Sequence, residues 1–332
     1  MTTIIDVAKR AGVSFKTVSR VFSGEASVRP KTKEKVLKAA SELNYQVNNA
    51  ARTLRSKAPT VVVLLINNPS SNYAQDIQIG AMAMCQDLGL TLVIDDPENP
   101  KIVEKLRSQS SLLGVILTPP QSDDLGVVTQ LTQNNVPIIR IGTQVTVDGT
   151  ANIGIDDFTA SYNITQYLIK KGHVEIGYIS GPSGNNASAQ RGLGFKEALI
   201  NAGLRLNPAM VKKGDFTYVS GMKAAEKLLS SKDCPTAIFA CNDEMAAGCL
   251  ASAYKYNIKV PDALSVVGFD DSPIARMVYP ALTTVHQATR EMSQKAVTIL
   301  YEKRRESFQS ATTLTLSHHI VERESTSPNH KV

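Results

Sequence analysis

The sequence predicts a small all-α helix-turn-helix headpiece joined to an α/β core of two similar parallel-sheet lobes. Three observations lead there. Residues 1–58 carry 12 Lys+Arg against 4 Asp+Glu, a net of +8, while the whole 332-residue chain is +6, so the remainder sums to −2. The same basic segment holds two short helical patterns that meet at a glycine. From Val61 onward, short apolar runs rich in β-branched residues alternate with amphipathic helical stretches, the pattern of repeated βα units whose parallel strands are covered on both faces. The 274 residues from 59 to 332 are enough for a large core or two lobes.

Thr3 and Asp6 have the spacing of a capping box, and Val7, Ala8 and Ala11 supply one apolar stripe for a first helix. Gly12 lets the chain turn tightly. Ser14 is a natural N-cap for a second helix. At about 100° per residue, Phe15, Val18, Val21 and Phe22 share one side of it. Lys16 and Arg20 lie nearly opposite, flanked by Thr17 and Ser19. Such a pair of helices has the form that places its second member in the DNA major groove, and concentrated basic charge is the matching electrostatic footprint. In KTKEKVLKAASEL, Val36, Ala39 or Ala40, and Leu43 form a stripe that can cover the first two helices. Pro30 supplies an N1-type start to this third helix. Residues 47–58, alone, read as a short basic tether closed by Pro59.

The runs VAKRAGVSFKTVSRVFSG and KTKEKVLKAASELNYQVNNAARTLRS closely resemble the headpiece of the LacI/GalR family of transcription regulators, and the likeness extends to IVEREST near the C-terminus. Two departures stand out. Arg29 occupies a place where a hydroxyl side chain often caps the third helix, so slightly weaker capping is expected. Val47 stands where a proline is common. The resemblance implies that 47–58 is a hinge helix formed when a dimer sits on its operator. Asn48 or Asn49 could cap it, Ala50 and Ala51 would allow two such helices to approach, and Leu54 could wedge between base steps in the minor groove. So short a helix is not stable alone. The expected DNA contacts are Ser14, Phe15, Lys16, Thr17, Arg20, Asn48, Ala51 and Leu54.

In the core, TVVVLLI precedes a helix carrying Ile77, Ala81, Met84 and Leu88, and LTLVIDD, GVILTPP and VPIIRIG follow. The alternation restarts with a helix over 158–171, IGYISGP, a helix over 187–202, MVKKGD, a helix over 218–231, TAIFACND, a helix over 243–256, and LSVVGFDD. The resemblance implies the same architecture, that of periplasmic binding proteins of type I, with three crossings between lobes. The last helix, roughly 287–304, should then return to the first lobe. The expected limits are 59–157 plus 285–312 for the first lobe and 158–284 plus 313–326 for the second.

Ligands of open α/β sheets lie beyond the carboxyl ends of the strands. That rule selects residues 67–73, Asp95, Asp96 and Thr118 in the first lobe, and Asn242, Asp243, Asp270 and Asp271 in the second. Carboxylates, amides and an arginine beside an aromatic ring suit a polyhydroxylated ligand. The resemblance narrows the set to Tyr73, Arg191 in QRGLGF, Phe216 in GDF, Asn242 in CND and Asp270 in GFDD, with Asp156 in GIDDF as a further candidate. Asp243 is expected to cap the helix that follows it.

Other chemistries find little support. Gly192 and Gly194 form a G-x-G whose third glycine place holds Glu197, without a strand immediately before it. Phosphate-loop and G-x-S-x-G signatures are absent. Cys85, Cys234, Cys241 and Cys249 have no C-x-x-C spacing, and His318 and His319 would face opposite sides of a strand. No metal, cofactor or catalytic residue is expected. The N-terminus has no apolar secretion signal, and no run of about 18 apolar residues exists to cross a membrane. A cytoplasmic operator-binding dimer, most simply a repressor with a carbohydrate effector, is therefore expected. A non-enzymatic sugar receptor is the alternative, opposed by the headpiece. The family's tetramers carry a leucine-rich C-terminal extension, which ESTSPNHKV does not resemble.

Overall fold

The structure, a computed structural model, describes residues 3–22, 28–43, 45, 59–231, 233–304 and 311–329. The chain divides into two compact units, 1–58 and 59–332. In the first, α1 (Ile4–Ala11), α2 (Phe15–Phe22) and α3 (Pro30–Glu42) form a miniature core. Thr3 and Asp6 make the reciprocal capping box, and Gly12 ends α1 in the left-handed conformation at φ 66°. Val7, Val18 and Val36 are fully buried, one from each helix. Arg29 makes no side-chain cap at the start of α3.

The second unit contains two parallel sheets. The first has the order β11-β5-β4-β3-β1-β2, from β1 (Val61–Leu65), β2 (Thr91–Asp95), β3 (Leu112–Leu117), β4 (Ile138–Ile141), β5 (Thr150–Ile155) and β11 (Thr312–Leu316). Along β1, Val62 and Leu64 join one core cluster while Val63 and Leu65 join the other. A strand buried on both faces must read as a continuous apolar run, as VVVLL does. Helices α4 (Ser71–Leu88), α5 (Ile102–Ser108) and α6 (Leu125–Gln133) connect these strands.

The second sheet has the order β7-β6-β8-β9, from β6 (Ile176–Ser180), β7 (Val211–Lys213), β8 (Ala237–Ala240) and β9 (Ser265–Val267). Its helices are α7 (Asp157–Lys170), α8 (Asn186–Asn201), α9 (Tyr218–Leu229) and α10 (Asp243–Lys255), followed by the short α11 (Ile274–Met277). Tyr178 stacks on Phe195 with ring centroids 4.6 Å apart. Helices α9 and α10 approach backbone to backbone: a Cβ at Gly248 would lie 2.3 Å from the Tyr218 carbonyl oxygen.

A third, antiparallel pair joins β10 (Thr284–Gln287) to β12 (His318–Val321). Between them α12 (Thr289–Glu302) packs on the first sheet's helix α4, where Gly80 lies against the Arg290 carbonyl and Arg290 Nε donates to Asp76 at 2.7 Å. The chain thus passes between the sheets near 156, 288 and 317. One expected limit is corrected. Residues 313–316 belong to the first lobe, because Thr312–Leu316 pairs in register with Ala151–Ile155. The sequence reading does not name the strands 150–155, 284–287 and 312–316.

Candidate functional site

In the first unit, Ser14 caps α2 by accepting from the Thr17 amide at 3.2 Å, and its hydroxyl also meets that of Thr17 at 3.0 Å. Val18 and Val21 turn inward, leaving Lys16, Ser19 and Arg20 exposed on the opposite face. Phe15 does not join the buried side as its spacing suggested; at the first position of the helix it is 50% exposed. Exposed Phe15, Lys16, Ser19 and Arg20 give the outer part of α2 apolar, hydrogen-bonding and cationic groups, the kinds used to read base edges. Asn48, Ala51 and Leu54 lie outside the described residues.

In the second unit, a cavity opens at the carboxyl ends of the strands, the place where open α/β sheets bind ligands. The first lobe contributes Asn68, Tyr73 and Ile155 to its wall, and the second contributes Asn185, Arg191, Phe216, Asn242 and Asp270. Five residues expected from the sequence (Tyr73, Arg191, Phe216, Asn242 and Asp270) therefore surround a single space.

Arg191 projects from α8, is 5% exposed, and has its guanidinium carbon 3.6 Å from the centre of the Phe269 ring. Its Nε donates to Asp157 Oδ1 at 2.8 Å and its Nη1 to the Cys241 carbonyl at 2.6 Å, with Asp270 Oδ1 at 3.8 Å. Burial opposes this charge, but Asp157 and Asp270 more than offset it and hold the guanidinium above its ordinary pKa. Burial pushes Asp270 well above the usual carboxylate range, although Arg191 acts against the shift. Gln287 Nε2 donates to Asp270 Oδ1 at 2.6 Å.

Phe216 and Asp270 both have positive φ, 70° and 118°. Non-glycine residues persist in such backbone only where the surroundings hold them, and they cluster at ligand sites. Gly181 is the reason the Phe216 ring fits, since a Cβ there would come within 2.4 Å of it. Asn242 spends both polar groups on the scaffold: its oxygen caps α10 at the Met245 amide and its amide donates to the Phe216 carbonyl at 2.9 Å.

Three expectations are corrected. Thr118 is fully buried and its hydroxyl donates to the Leu65 carbonyl, away from the cavity wall. Asp156 caps α7, both its oxygens accepting from Thr159, while its neighbour Asp157 reaches the cavity instead. Asp243 is not the cap of α10, which is Asn242; it accepts from Ser272 and Thr284 in the buried wall behind Asp270. Asp157, Asn185 and Gln287 were missed. A signal for Asp157 existed in the doubled acid of GIDDF, one for the helix cap and one for the arginine.

Two carboxylates also bridge the lobes. Glu244 Oε1 accepts from the hydroxyls of Ser70 and Ser71 and from the Asn72 amide nitrogen at 3.1 to 3.2 Å, and from Asn72 Nδ2 at 2.9 Å. Conversely Asp123 Oδ2 accepts from the Asn186 amide at 2.9 Å. Each lobe thus sets an acid at the N-terminus of the other lobe's helix, where unpaired amides and the helix dipole favour negative charge. Among the described residues no cluster suited to a metal occurs, and no helix is long and apolar enough to cross a membrane.

Residues 3–48 match the lacI family of bacterial regulatory proteins, and residues 165–326 match a periplasmic binding protein-like domain. The chain is similar to the HTH-type transcriptional repressor PurR of Pasteurella multocida, 31% identical over 98% of both chains. Among solved structures it is similar to the transcriptional regulator CelR in complex with cellobiose, with a TM-score of 0.73 and 30% identity over 98% of this chain and 100% of that one. It is also similar to the Lac repressor dimer bound to operator and an anti-inducer, with a TM-score of 0.72 and 26% identity over 98% and 99%.

Proposed function

The chain belongs to the lacI family of bacterial regulatory proteins, and from that premise we propose that it is a transcriptional repressor whose operator binding is controlled by a sugar or sugar derivative in the core cavity. The observation that carries this is the pairing, in one chain, of a basic helix-turn-helix unit with a cavity walled by both lobes. Phe15, Lys16 and Arg20 are assigned to base edges or their rims, and Ser14 and Thr17 to phosphates. Asn48, Ala51 and Leu54 are assigned to the hinge contacts on sequence alone. Tyr73, Arg191, Phe216, Asn242 and Asp270 are assigned to the effector, together with Asp157. Phe216 offers a ring for the apolar face of a sugar, and the carboxylates offer acceptors for its hydroxyls.

Two headpieces related by two-fold symmetry require a pseudo-palindromic operator, and the similarity to an operator-bound repressor dimer supports that arrangement. We read the chain as a binding protein without catalysis that works where the DNA is, in the cytoplasm. Selection of binding sites from random duplexes tests this. The expected outcome is an enriched palindrome whose affinity falls steeply with salt and changes when a sugar is added. Enrichment of no sequence, or binding indifferent to every sugar, would refute the corresponding half.

A further inference from the structure

Three charged side chains line the cavity: Asp157, Arg191 and Asp270, each more than nine-tenths buried. Arg191 is the single cation among the described lining residues, and its charge is already matched by Asp157 at 2.8 Å and approached by Asp270 at 3.8 Å. With both carboxylates ionised the triad carries −1; with one protonated it carries zero. While either acid is ionised, Arg191 has no charge left over. The phenol of Tyr73 reports the same field: its pKa is raised by burial first, then by Asp270, Asp157 and Asp123, against Arg191 alone.

Hydrogen bonding points the same way. Among the described residues, Oδ2 of Asp157 and Oδ2 of Asp270 accept no hydrogen bond, while each Oδ1 does. Neither oxygen is fully enclosed by protein, so each can take a further donor. A sugar hydroxyl is a donor, whereas an ionised phosphate or carboxylate brings only acceptors.

We propose that the effector is an uncharged polyhydroxylated molecule, and that Asp157 and Asp270 exclude phosphorylated and carboxylated sugars by leaving Arg191 no charge to spare. This rests on the reading of the cavity as a sugar site. It assigns two specificity-determining residues within that site. An anionic group entering here would be buried without a counter-charge, which costs several kcal/mol and therefore roughly 100-fold or more in affinity.

Calorimetric titration of the full chain with matched probes tests it: cellobiose, D-glucose and D-ribose, against glucose 6-phosphate, ribose 5-phosphate and gluconate, with hypoxanthine as a non-sugar control. A neutral sugar is expected to bind and its anionic counterpart to bind roughly 100-fold more weakly or worse. In Asp157→Asn and Asp270→Asn that ratio should shrink at least about tenfold, because each variant takes one negative charge out of the cavity wall. Two separate variants, each checked by thermal melting, guard against one failing to fold. Tighter binding of a phosphate or carboxylate would overturn the charge rule and leave the sugar reading standing, as would a ratio unchanged in both variants. Binding of hypoxanthine alone, or of no probe, would instead remove the sugar reading and this inference with it.

Discussion

At Arg191, a positive charge is held out of water by two carboxylates and a backbone carbonyl, so any substitution there acts on folding as well as on ligand. Arg191→Ala strands buried Asp157 without its partner, and a loss of about 3–5 kcal/mol in urea unfolding is expected. A loss below about 1 kcal/mol would mean that the pair does not stay desolvated. Asp243 gives a test in pH. Burial pushes its carboxyl up to about 7 in spite of hydrogen bonds from Thr284 and Ser272. Since the folded value lies above the unfolded one, the stabilisation is complete at pH values below about 4 and is lost as pH rises through 7. Melting temperature should therefore fall across that window, and Asp243→Asn should flatten the decline; an unchanged slope would place its origin in another group. Adjacent acids show where sequence reading stops. The strand-end rule finds the loop at 156–157, but which carboxylate turns to the helix amide and which to Arg191 depends on a partner more than 30 residues away. Gln287 reaches the cavity from a crossing segment, which the strand-end rule does not sample.

On the scale of single elements, the headpiece was almost fully legible. Caps, the glycine turn and the 3.6-residue stripe are local properties, and the three helices follow from them. The core helices were likewise placed by periodicity to within a residue or two of Asp157–Lys170, Asn186–Asn201, Tyr218–Leu229 and Asp243–Lys255. Three strands, Thr150–Ile155, Thr284–Gln287 and Thr312–Leu316, were not. TANIGI and TTLTL lack the run of large apolar residues that marks a buried strand; TANIGI pairs with the strand just before it and with TTLTL, which comes from distant chain. Exposure of one face of α2 carries its own prediction. Lys16→Ala and Arg20→Ala should each weaken binding to the selected operator; where the side chain contacts a base in two places, the cost is about 1–3 kcal/mol with relaxed preference at one position per half-site. Binding assays across single-base operator variants decide between this and a purely solubilising role, for which affinity and preference would stay as they are.

For the whole molecule, the reciprocal acids Glu244 and Asp123 are hydrogen-bonded ties between the two lobes. Glu244 does not itself line the cavity, although its Oε1 accepts from Ser70, which does; Glu244→Ala should lower effector affinity several-fold by favouring separated lobes, seen as a larger radius in small-angle scattering. An unchanged radius and affinity would reduce the contact to decoration. The two sheets were foreseeable from alternating βα units, but the way they share the end of the chain was not, since nothing in TTLTL names Thr150–Ile155 as its neighbour. That shared ending also sets an order of events in time. A ribosome releases the headpiece first, then five strands of the first sheet, but β11 and α12 emerge only after all four strands of the second sheet. The lobe begun first is thus completed last: the α4 surface around Gly80 stands open until Thr289–Glu302 appears, and the flank of Thr150–Ile155 until residue 316 does. Newborn chains stalled before that point carry an unpaired sheet edge of the kind that recruits other chains, so nascent copies have most to gain from a chaperone between the emergence of residue 155 and that of residue 316.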